Sequence, residues 1–220
     1  MNNKRLSFID SYRGLLIICM VIYHFLIDLN IYGILSRETT YGTPLNLFQA
    51  FIAWGFILIS GFSCTLSKNN LNRGLLTLGC AVVISLGTYL FNPEYFVVFG
   101  ILHFLGCAMI ISAAIDLLPD KIPAAYQTVG FLALFAVFYM LNIQYPRPMV
   151  SSDYFPVIPW IFLFLTGRAV GLLCKKQGFP KFFYRVNIPF LSTIGKHTLI
   201  IYMLHQPLLI GILILVLKII

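Results

Sequence analysis

Charge is the scarcest property of this sequence. Asp, Glu, Lys and Arg make up only 10% of its 220 residues, whereas a soluble domain carries roughly a quarter. Hydrophobic residues make up 60% of the chain, and the mean hydropathy is +0.91. So few polar residues cannot cover the core of a soluble globular protein. We therefore predict an integral membrane protein whose surface contacts lipid.

Acidic residues are scarcer than basic ones, with 7 Asp and Glu against 15 Lys and Arg and a net charge of +8. In a soluble chain this excess would indicate a nucleic-acid partner. Here the basic residues sit in short loops between apolar runs, where they set membrane topology. We therefore expect no nucleic acid, while some of the bases remain available to an anionic ligand.

Metal-type cysteine spacing is also missing. The five cysteines fall inside or at the ends of apolar runs, without a CxxC pair or a zinc-type spacing. We interpret them as small packing residues and expect neither a metal site nor a disulfide. They are Cys19, Cys64, Cys80, Cys107 and Cys174.

The apolar runs predict an all-α polytopic membrane protein, a bundle of about seven transmembrane helices. A membrane-spanning helix needs about 20 mostly apolar residues, and the first run is too long for a cleavable signal peptide. We expect residues 1–220 to form a single transmembrane domain. The predicted spans are 12–32, 46–66, 74–91, 96–117, 125–143, 157–174 and 198–217.

The basic residues predict the orientation. Eleven lie on the N-terminal side of the bundle and three on the opposite side, which predicts that the N-terminus is in the cytoplasm and the C-terminus outside. The polar, aromatic segment 179–196 suits the cytoplasmic interface. The eleven are Lys4, Arg5, Arg13, Lys68, Arg73, Lys121, Lys175, Lys176, Lys181, Arg185 and Lys196, and the three are Arg37, Arg147 and Lys218.

The first predicted span carries a polar stripe. Arg13 and His24 lie within about 20° of each other on a helix, and Asp10 and Asp28 lie within about 60° of Arg13. The stripe must face protein or a water-filled cavity, because charge turned toward lipid is costly. His24 lies ~16 Å above Arg13, near the middle of the bilayer.

A carboxylate one turn from an imidazole fixes its tautomer and raises its basicity, so His24 with Asp28 resembles a general base and its partner. Hydrogen bonding between helices is the structural alternative, but polar groups inside membranes favour function. His103 and His205, which Gln206 follows, are predicted at a similar depth in the fourth and seventh spans. The three histidines suggest a shared interior site, although His103 and His205 could equally make structural hydrogen bonds.

Three arginines lie at the predicted cytoplasmic ends of spans. Topology alone explains Arg73. Arg168 lies inside the sixth span with no acid nearby in the sequence, and a buried arginine needs an anion. Together with Arg13, these residues predict a phosphate-bearing ligand at the cytoplasmic mouth.

Five segments resemble, in order, the small bacterial members of the heparan-α-glucosaminide N-acetyltransferase catalytic-domain family. That family is related to the transmembrane acyltransferase superfamily, which includes the acyltransferase-3 enzymes. Arg13 and His24 match the acyltransferase-3 pattern of arginine, ten residues, then histidine, but Asn70 stands where a second arginine would accompany Arg73. The segments are "RLSFIDSYRGLLIICMVIYHF", "SGFSCTLSKNNLNRGLLTLG", "FGILHFLGCAMII", "SSDYFPVIPWIFLFLTGRAVG" and "IGKHTLIIYMLHQP".

The resemblance implies an enzyme that moves an acyl group, acetyl being the simplest, from cytoplasmic acetyl-CoA or another acyl-CoA to a sugar, envelope-glycan or lipid-linked acceptor. His24 would be the base or acyl carrier, with Asp28 orienting it and His103 or His205 donating to the oxyanion. Larger relatives have more helices, so an acceptor site built from those extra helices would be either missing here or supplied by a second subunit in a homodimer. The residues assigned to acyl-CoA binding are Arg13, Arg73, Arg168 and His205.

The sequence is also compatible with other functional classes. A transporter or channel would use the His24–Asp28 stripe as a proton or solute path, although no inverted repeat is visible. A metal site could form from His24, Asp28, His103 and His205. A purely structural scaffold is the remaining alternative.

Overall fold

The computed structural model describes residues 6–40, 42–119, 122–145 and 153–219, without the side chains of the last two. Four residues of the topology prediction (Lys4, Arg5, Lys121 and Arg147) lie outside these ranges, as does the side chain of Lys218. The α-helices are α1 (Ser7–Ile31), α2 (Arg37–Thr40), α3 (Thr43–Cys64), α4 (Asn70–Phe91), α5 (Ile101–Ile115), α6 (Ala124–Met140), α7 (Val157–Gln177), α8 (Phe182–Arg185), α9 (Pro189–Lys196) and α10 (Thr198–Ile219), with a 3-10 helix at Pro93–Tyr95.

The described residues are helical and form no extended strand, only isolated bridges. Each predicted span contains a helix, so the all-helical prediction is confirmed. Helices α1, α3, α4, α7 and α10 belong to five segments that are long and apolar enough to cross a membrane. Helices α5 and α6 have only 15 and 17 residues, against the roughly 20 that a span needs. The chain is a multi-pass membrane protein, while the count of seven spans and the orientation stay predictions.

The chain divides into two compact units, Met1–Phe56 with Pro180–Ile220 and Ile57–Phe179. Helix α3 contributes residues to both. In the first unit, α1 packs against α8, α9 and α10. Its apolar core is built around Ile17 and Met20 of α1 and Ile52 of α3. The prediction of a single domain stays a prediction.

Helix α9, within the segment predicted to be interfacial, is pressed closely against α1. A Cβ atom at Gly14 would overlap the backbone carbonyl of Leu191, and a Cβ atom at Gly195 would overlap that of Asp10. Phe190 is exposed on the other side of α9. The two glycines therefore allow the backbones of α1 and α9 to touch, and α9 keeps an apolar side chain on its outer surface.

In the second unit, α4 packs against α5 and α6 packs against α7. Small residues again allow close approach: a Cβ at Gly74 would meet Ile110 and the carbonyl of Gly106, and a Cβ at Gly167 would overlap the carbonyl of Leu58. Close packing through small residues is common between membrane helices. These contacts bring the backbone of α4 close to α5 and that of α7 close to α3.

The fourth predicted span was placed too early in the chain. Residues 96–117 were expected to form one helix, but α5 begins only at Ile101. The 3-10 helix ends at Tyr95, and Phe99 bridges to Tyr154 and accepts a backbone hydrogen bond from Phe155. The bridge holds Phe99 outside the helix, so His103 lies in the first turn of α5 rather than some eight residues inside it.

Replacing Gly195 by alanine should destabilise the first unit. The added methyl would meet backbone atoms of α1, which cannot rotate away, and overpacking of this kind costs about 1–3 kcal/mol. We expect a clear decrease in the melting temperature of Gly195→Ala in detergent. Gly211→Ala on α10 is the control, because a Cβ there meets nothing within 4 Å. Equal melting temperatures for the two variants would contradict the packing of α9 on α1.

Candidate functional site

The polar stripe lies on the protein-facing side of α1. Asp10 and Asp28 are 6% and 3% exposed, and Arg13 Nη1 lies 3.5 Å from Asp10 Oδ1. The exposed large residues of this helix lie elsewhere on its circumference, as the hydrophobic pattern predicts. They include Leu15, Ile22 and Phe25.

The first unit brings two of the predicted histidines together. The ring centroids of His24 on α1 and His205 on α10 are 4.9 Å apart, with the ring planes at 58°. His205 is only 8% exposed. No described residue forms a hydrogen bond with the His24 ring, so neither of its nitrogens is committed to a protein partner in these ranges.

The backbone fixes the tautomer of His205. Its Nδ1 lies 2.7 Å from the carbonyl oxygen of Tyr202, and a carbonyl only accepts, so Nδ1 carries the hydrogen. In the neutral ring Nε2 then has a lone pair and no hydrogen. That nitrogen is buried and unpartnered among the described residues. The expected oxyanion-donor role is therefore wrong for neutral His205, because its one N–H is already used.

Asp28 pairs with the opposite helix rather than with His24. The Gln206 amide nitrogen donates to Asp28 Oδ1 at 2.7 Å, and within the described residues no hydrogen bond joins Asp28 to His24. The expected hydrogen bond by which Asp28 orients His24 is thus absent among the described residues, because the Asp28 carboxylate accepts from Gln206 of α10 instead. Asp28 Oδ2 and Gln206 Oε1 are also buried without a hydrogen-bond partner in the part of the chain described.

His103, in the second unit, has both ring nitrogens engaged. Nδ1 accepts from the backbone N–H of Gly100 at 3.2 Å. Nε2 lies 3.2 Å from the hydroxyl oxygen of Ser85, whose own hydrogen is donated to the Val97 carbonyl at 2.6 Å. His103 therefore carries its proton on Nε2 and caps the start of α5. Its contacts give no support to the predicted catalytic role.

A carboxylate that sequence reasoning missed completes this cap. Asp153 Oδ2 accepts from the backbone N–H of Ile101, the first residue of α5, at 3.1 Å. Burial raises the pKa of the Asp153 carboxyl to about 6, and the hydrogen bond from Ile101 opposes that shift. Asp153 lies just before α7, and only the fold brings it beside a residue 52 positions earlier.

Charged residues of the second unit meet where α3, α4 and α5 end or begin. Arg168 of α7 forms an ion pair with Asp116, directly after α5. Asn70 donates to the Cys64 carbonyl at 2.8 Å and to Asp116 Oδ2 at 3.3 Å, and it accepts from Arg73 Nη1 at 3.3 Å. The four polar side chains form one connected network.

This network supplies the anion that the buried Arg168 side chain needs. The Arg168 side chain is 6% exposed and its anion is Asp116, 52 residues earlier in the chain. The anion that the buried Arg168 needs is thus supplied from far away in the sequence, while the predicted role of Arg168 in acyl-CoA binding stays a prediction. Arg73 makes no ion pair with a described residue, so two arginines and one aspartate leave a formal charge of +1. Asn70, which stands where the resemblance expected an arginine, links Arg73 to Asp116.

The other candidate features are a cleft, possible metal ligands and the cysteines. A cleft of about 290 Å³ in the second unit is lined by Tyr139, Asn142, Gln144 and Trp160, among others, but by none of the predicted site residues. No group of three or more His, Cys, Asp or Glu within the described ranges could hold a metal ion. The five cysteines are free thiols.

Comparison with known families gives one match. The model of the family described as "Heparan-alpha-glucosaminide N-acetyltransferase, catalytic" matches residues 5–207. That range contains all the residues discussed for the two polar clusters. No curated protein and no solved structure matches the chain.

Removing the partner of Arg168 should destabilise the second unit. Asp116→Ala leaves a buried guanidinium without its carboxylate, and an unmet buried polar group costs about 1–3 kcal/mol. We expect a lower melting temperature for Asp116→Ala, and a smaller decrease for Asp116→Asn, which keeps an oxygen acceptor. Glu94→Ala removes an exposed carboxylate of the same unit and is the control. If Asp116→Ala melts with the control, the ion pair contributes nothing.

Proposed function

Since the chain belongs to the heparan-alpha-glucosaminide N-acetyltransferase catalytic family, a family of membrane transferases, we propose that it transfers an acetyl group from acetyl-CoA to an amino group on a sugar or envelope glycan. The observation that carries this proposal is the pair His24 and His205, whose rings lie 4.9 Å apart. Two imidazoles, each with a nitrogen that no described residue engages, can accept the two protons that acyl transfer to an amine releases.

Two bases are useful because two protons must leave the acceptor nitrogen. An amine near neutral pH is an ammonium, and it becomes an amide only after losing two protons. The first must leave before attack, because a protonated nitrogen has no lone pair. The second leaves as the new carbon–nitrogen bond forms. One histidine can take each proton, and acid–base groups within hydrogen-bond reach typically contribute 10²–10⁴-fold in rate.

In the first route, His205 and His24 each accept one proton from the acceptor nitrogen. Nε2 of His205 takes one proton from the ammonium, and the freed lone pair attacks the thioester carbonyl. A carbon–nitrogen bond forms and the carbon–sulfur bond breaks. His24 takes the second proton from nitrogen and passes it to the departing sulfur. The products are the acetylated amine and CoA thiol, and the proton on His205 returns to solvent.

Direct attack by His24 on the thioester is the second route to the same products. The carbonyl carbon would bond to a His24 nitrogen, CoA thiol would leave, and the amine would then displace the imidazole. His24 has no described hydrogen bond that would occupy its nitrogens, which suits this role too. Either route needs His24 and a base beside it.

We propose that the arginines predicted to bind acyl-CoA supply the phosphate contacts. Arg73 has the best case, because it makes no ion pair with a described residue and belongs to a network with a formal charge of +1. Arg168 acts by holding Asp116 and, through Asn70, the position of Arg73. Arg13, paired with Asp10, is the candidate of the first unit.

We also propose that the protein lies in the cell membrane of a bacterium. Acetyl-CoA binds on the cytoplasmic side, and the acceptor is reached from the far side. These placements rest on the distribution of basic residues and on the family. A homodimer that completes the acceptor site belongs to the same proposal.

Replacement of His24 tests the proposal directly. We expect purified His24→Ala to transfer acetyl groups from acetyl-CoA to glucosamine at least about 10²-fold more slowly than wild type, because the proton acceptor is lost. His197→Ala removes an exposed histidine at the start of α10 and should retain wild-type activity. Transfer by His24→Ala at the wild-type rate would overturn the assignment.

Replacement of Arg73 tests the donor site. Loss of a charge-assisted hydrogen bond to phosphate is worth about 1.5–3 kcal/mol, so Arg73→Ala should bind CoA roughly 10- to 100-fold more weakly by calorimetry. Arg185→Ala removes an exposed arginine of α8 and controls for total charge. Equal weakening by both variants would show a nonspecific charge effect instead of a phosphate site.

A further inference from the structure

Three buried atoms of the first unit lack a hydrogen-bond partner in the described part of the chain. They belong to neighbouring groups: Oδ2 of Asp28, Oε1 of Gln206 and Nε2 of His205. Leaving such an atom unsatisfied costs about 1–3 kcal/mol, so native proteins rarely keep several together. Asp28 and Gln206 are hydrogen-bonded and His205 precedes Gln206 in the chain, so we interpret the three atoms as parts of one binding site.

The three atoms share one property, which is that each accepts hydrogen bonds. Gln206 already uses its amide nitrogen on Asp28 Oδ1. His205 already uses its Nδ1 hydrogen on the Tyr202 carbonyl. Asp28 forms no ion pair with a described residue. These three residues therefore present three unsatisfied acceptors, one of them a carboxylate oxygen, and none of the three supplies a positive charge.

We infer that Asp28, Gln206 and His205 form the subsite for the nitrogen of the acceptor, which binds there as a primary ammonium. An ammonium has three N–H donors and one positive charge. It therefore satisfies all three acceptors and neutralises the carboxylate. A hydroxyl has a single O–H donor and no charge, so the same three acceptors discriminate against it. This inference rests on the proposed function and identifies the residues that select its acceptor.

Gln206 is the positioning and specificity residue of this subsite. Its nitrogen holds one oxygen of Asp28 at 2.7 Å, which leaves the other oxygen for the ligand. Its own oxygen is the second acceptor. Because Gln206 directly precedes Pro207 and follows His205, one turn of α10 supplies both a base and the group that orients the carboxylate.

A water molecule is the competing occupant. Water has only two donors, so one of the three acceptors would stay unsatisfied, and it carries no charge to balance Asp28. A site built for water would bind an amine and its hydroxyl analogue equally. Comparison of two such ligands therefore separates these occupants.

The experiment measures binding of D-glucosamine and D-glucose to the purified protein by calorimetry, without acetyl-CoA. We expect wild type to bind glucosamine at least about 10-fold more tightly than glucose. Gln206→Leu and Asp28→Asn should each weaken glucosamine binding by at least about 10-fold and leave glucose binding unchanged. A hydrogen bond to a charged group is worth about 1.5–3 kcal/mol, which corresponds to such factors.

Gln177→Leu, at the exposed end of α7, is the matched control and should bind both sugars as wild type does. Gln206→Met keeps the length of the side chain and replaces Gln206→Leu if that variant does not fold. The melting temperature and the CoA affinity of each variant are measured alongside, because a merely structural role would lower stability or change both ligands together.

The inference is overturned if wild type shows no preference for glucosamine, or if the Gln206 variants weaken both sugars equally. Its outcome is separate from that of the proposed function. Selective glucosamine binding without acetyl transfer would keep the subsite and overturn the transferase. Acetyl transfer by a protein that binds glucosamine and glucose equally would keep the transferase and overturn the subsite.

Discussion

The hydrogen bond from Gln206 to Asp28 is the interaction on which the first unit's polar centre depends. Removed from water, a carboxylate on α1 is tolerable only with a partner, and α10 provides one at 2.7 Å. The same turn of α10 carries His205, whose ring centroid lies 4.9 Å from that of His24. The partner of the buried carboxylate and the neighbour of the His24 ring therefore belong to consecutive residues of α10.

The second unit meets the same physical requirement in another way. Arg168 is almost fully buried, and Asp116 neutralises it, while Asn70 connects that pair to Arg73. An amide in this position has a definite consequence. A second arginine there would have added a charge to the cluster, whereas Asn70 bonds to a carbonyl, a carboxylate and a guanidinium at once. The network is well connected and retains a modest positive charge.

Periodicity was sufficient to predict the helices and the polar face of α1, because both follow from residues close in sequence. It could not predict that Asp28 bonds to Gln206 or Arg168 to Asp116, since those partners lie 178 and 52 residues apart. His103 illustrates the same limit. Its depth was inferred from an apolar run, but Asp153 and Gly100 define where α5 starts. The resemblance to a family indicated an acyl-CoA enzyme, and it did not indicate which side chains remain unsatisfied.

The three histidines differ in how many of their ring nitrogens are engaged by described residues. His103 has a partner on each ring nitrogen, so protonation would break the bond from Gly100 and disturb the start of α5. His205 has one nitrogen fixed by a carbonyl and one left over, and His24 has no described hydrogen bond at all. All three lie in apolar helices, so burial alone does not separate them. Unused hydrogen-bonding capacity separates them, because a site can bind or deprotonate a substrate only with atoms that the fold has not already satisfied.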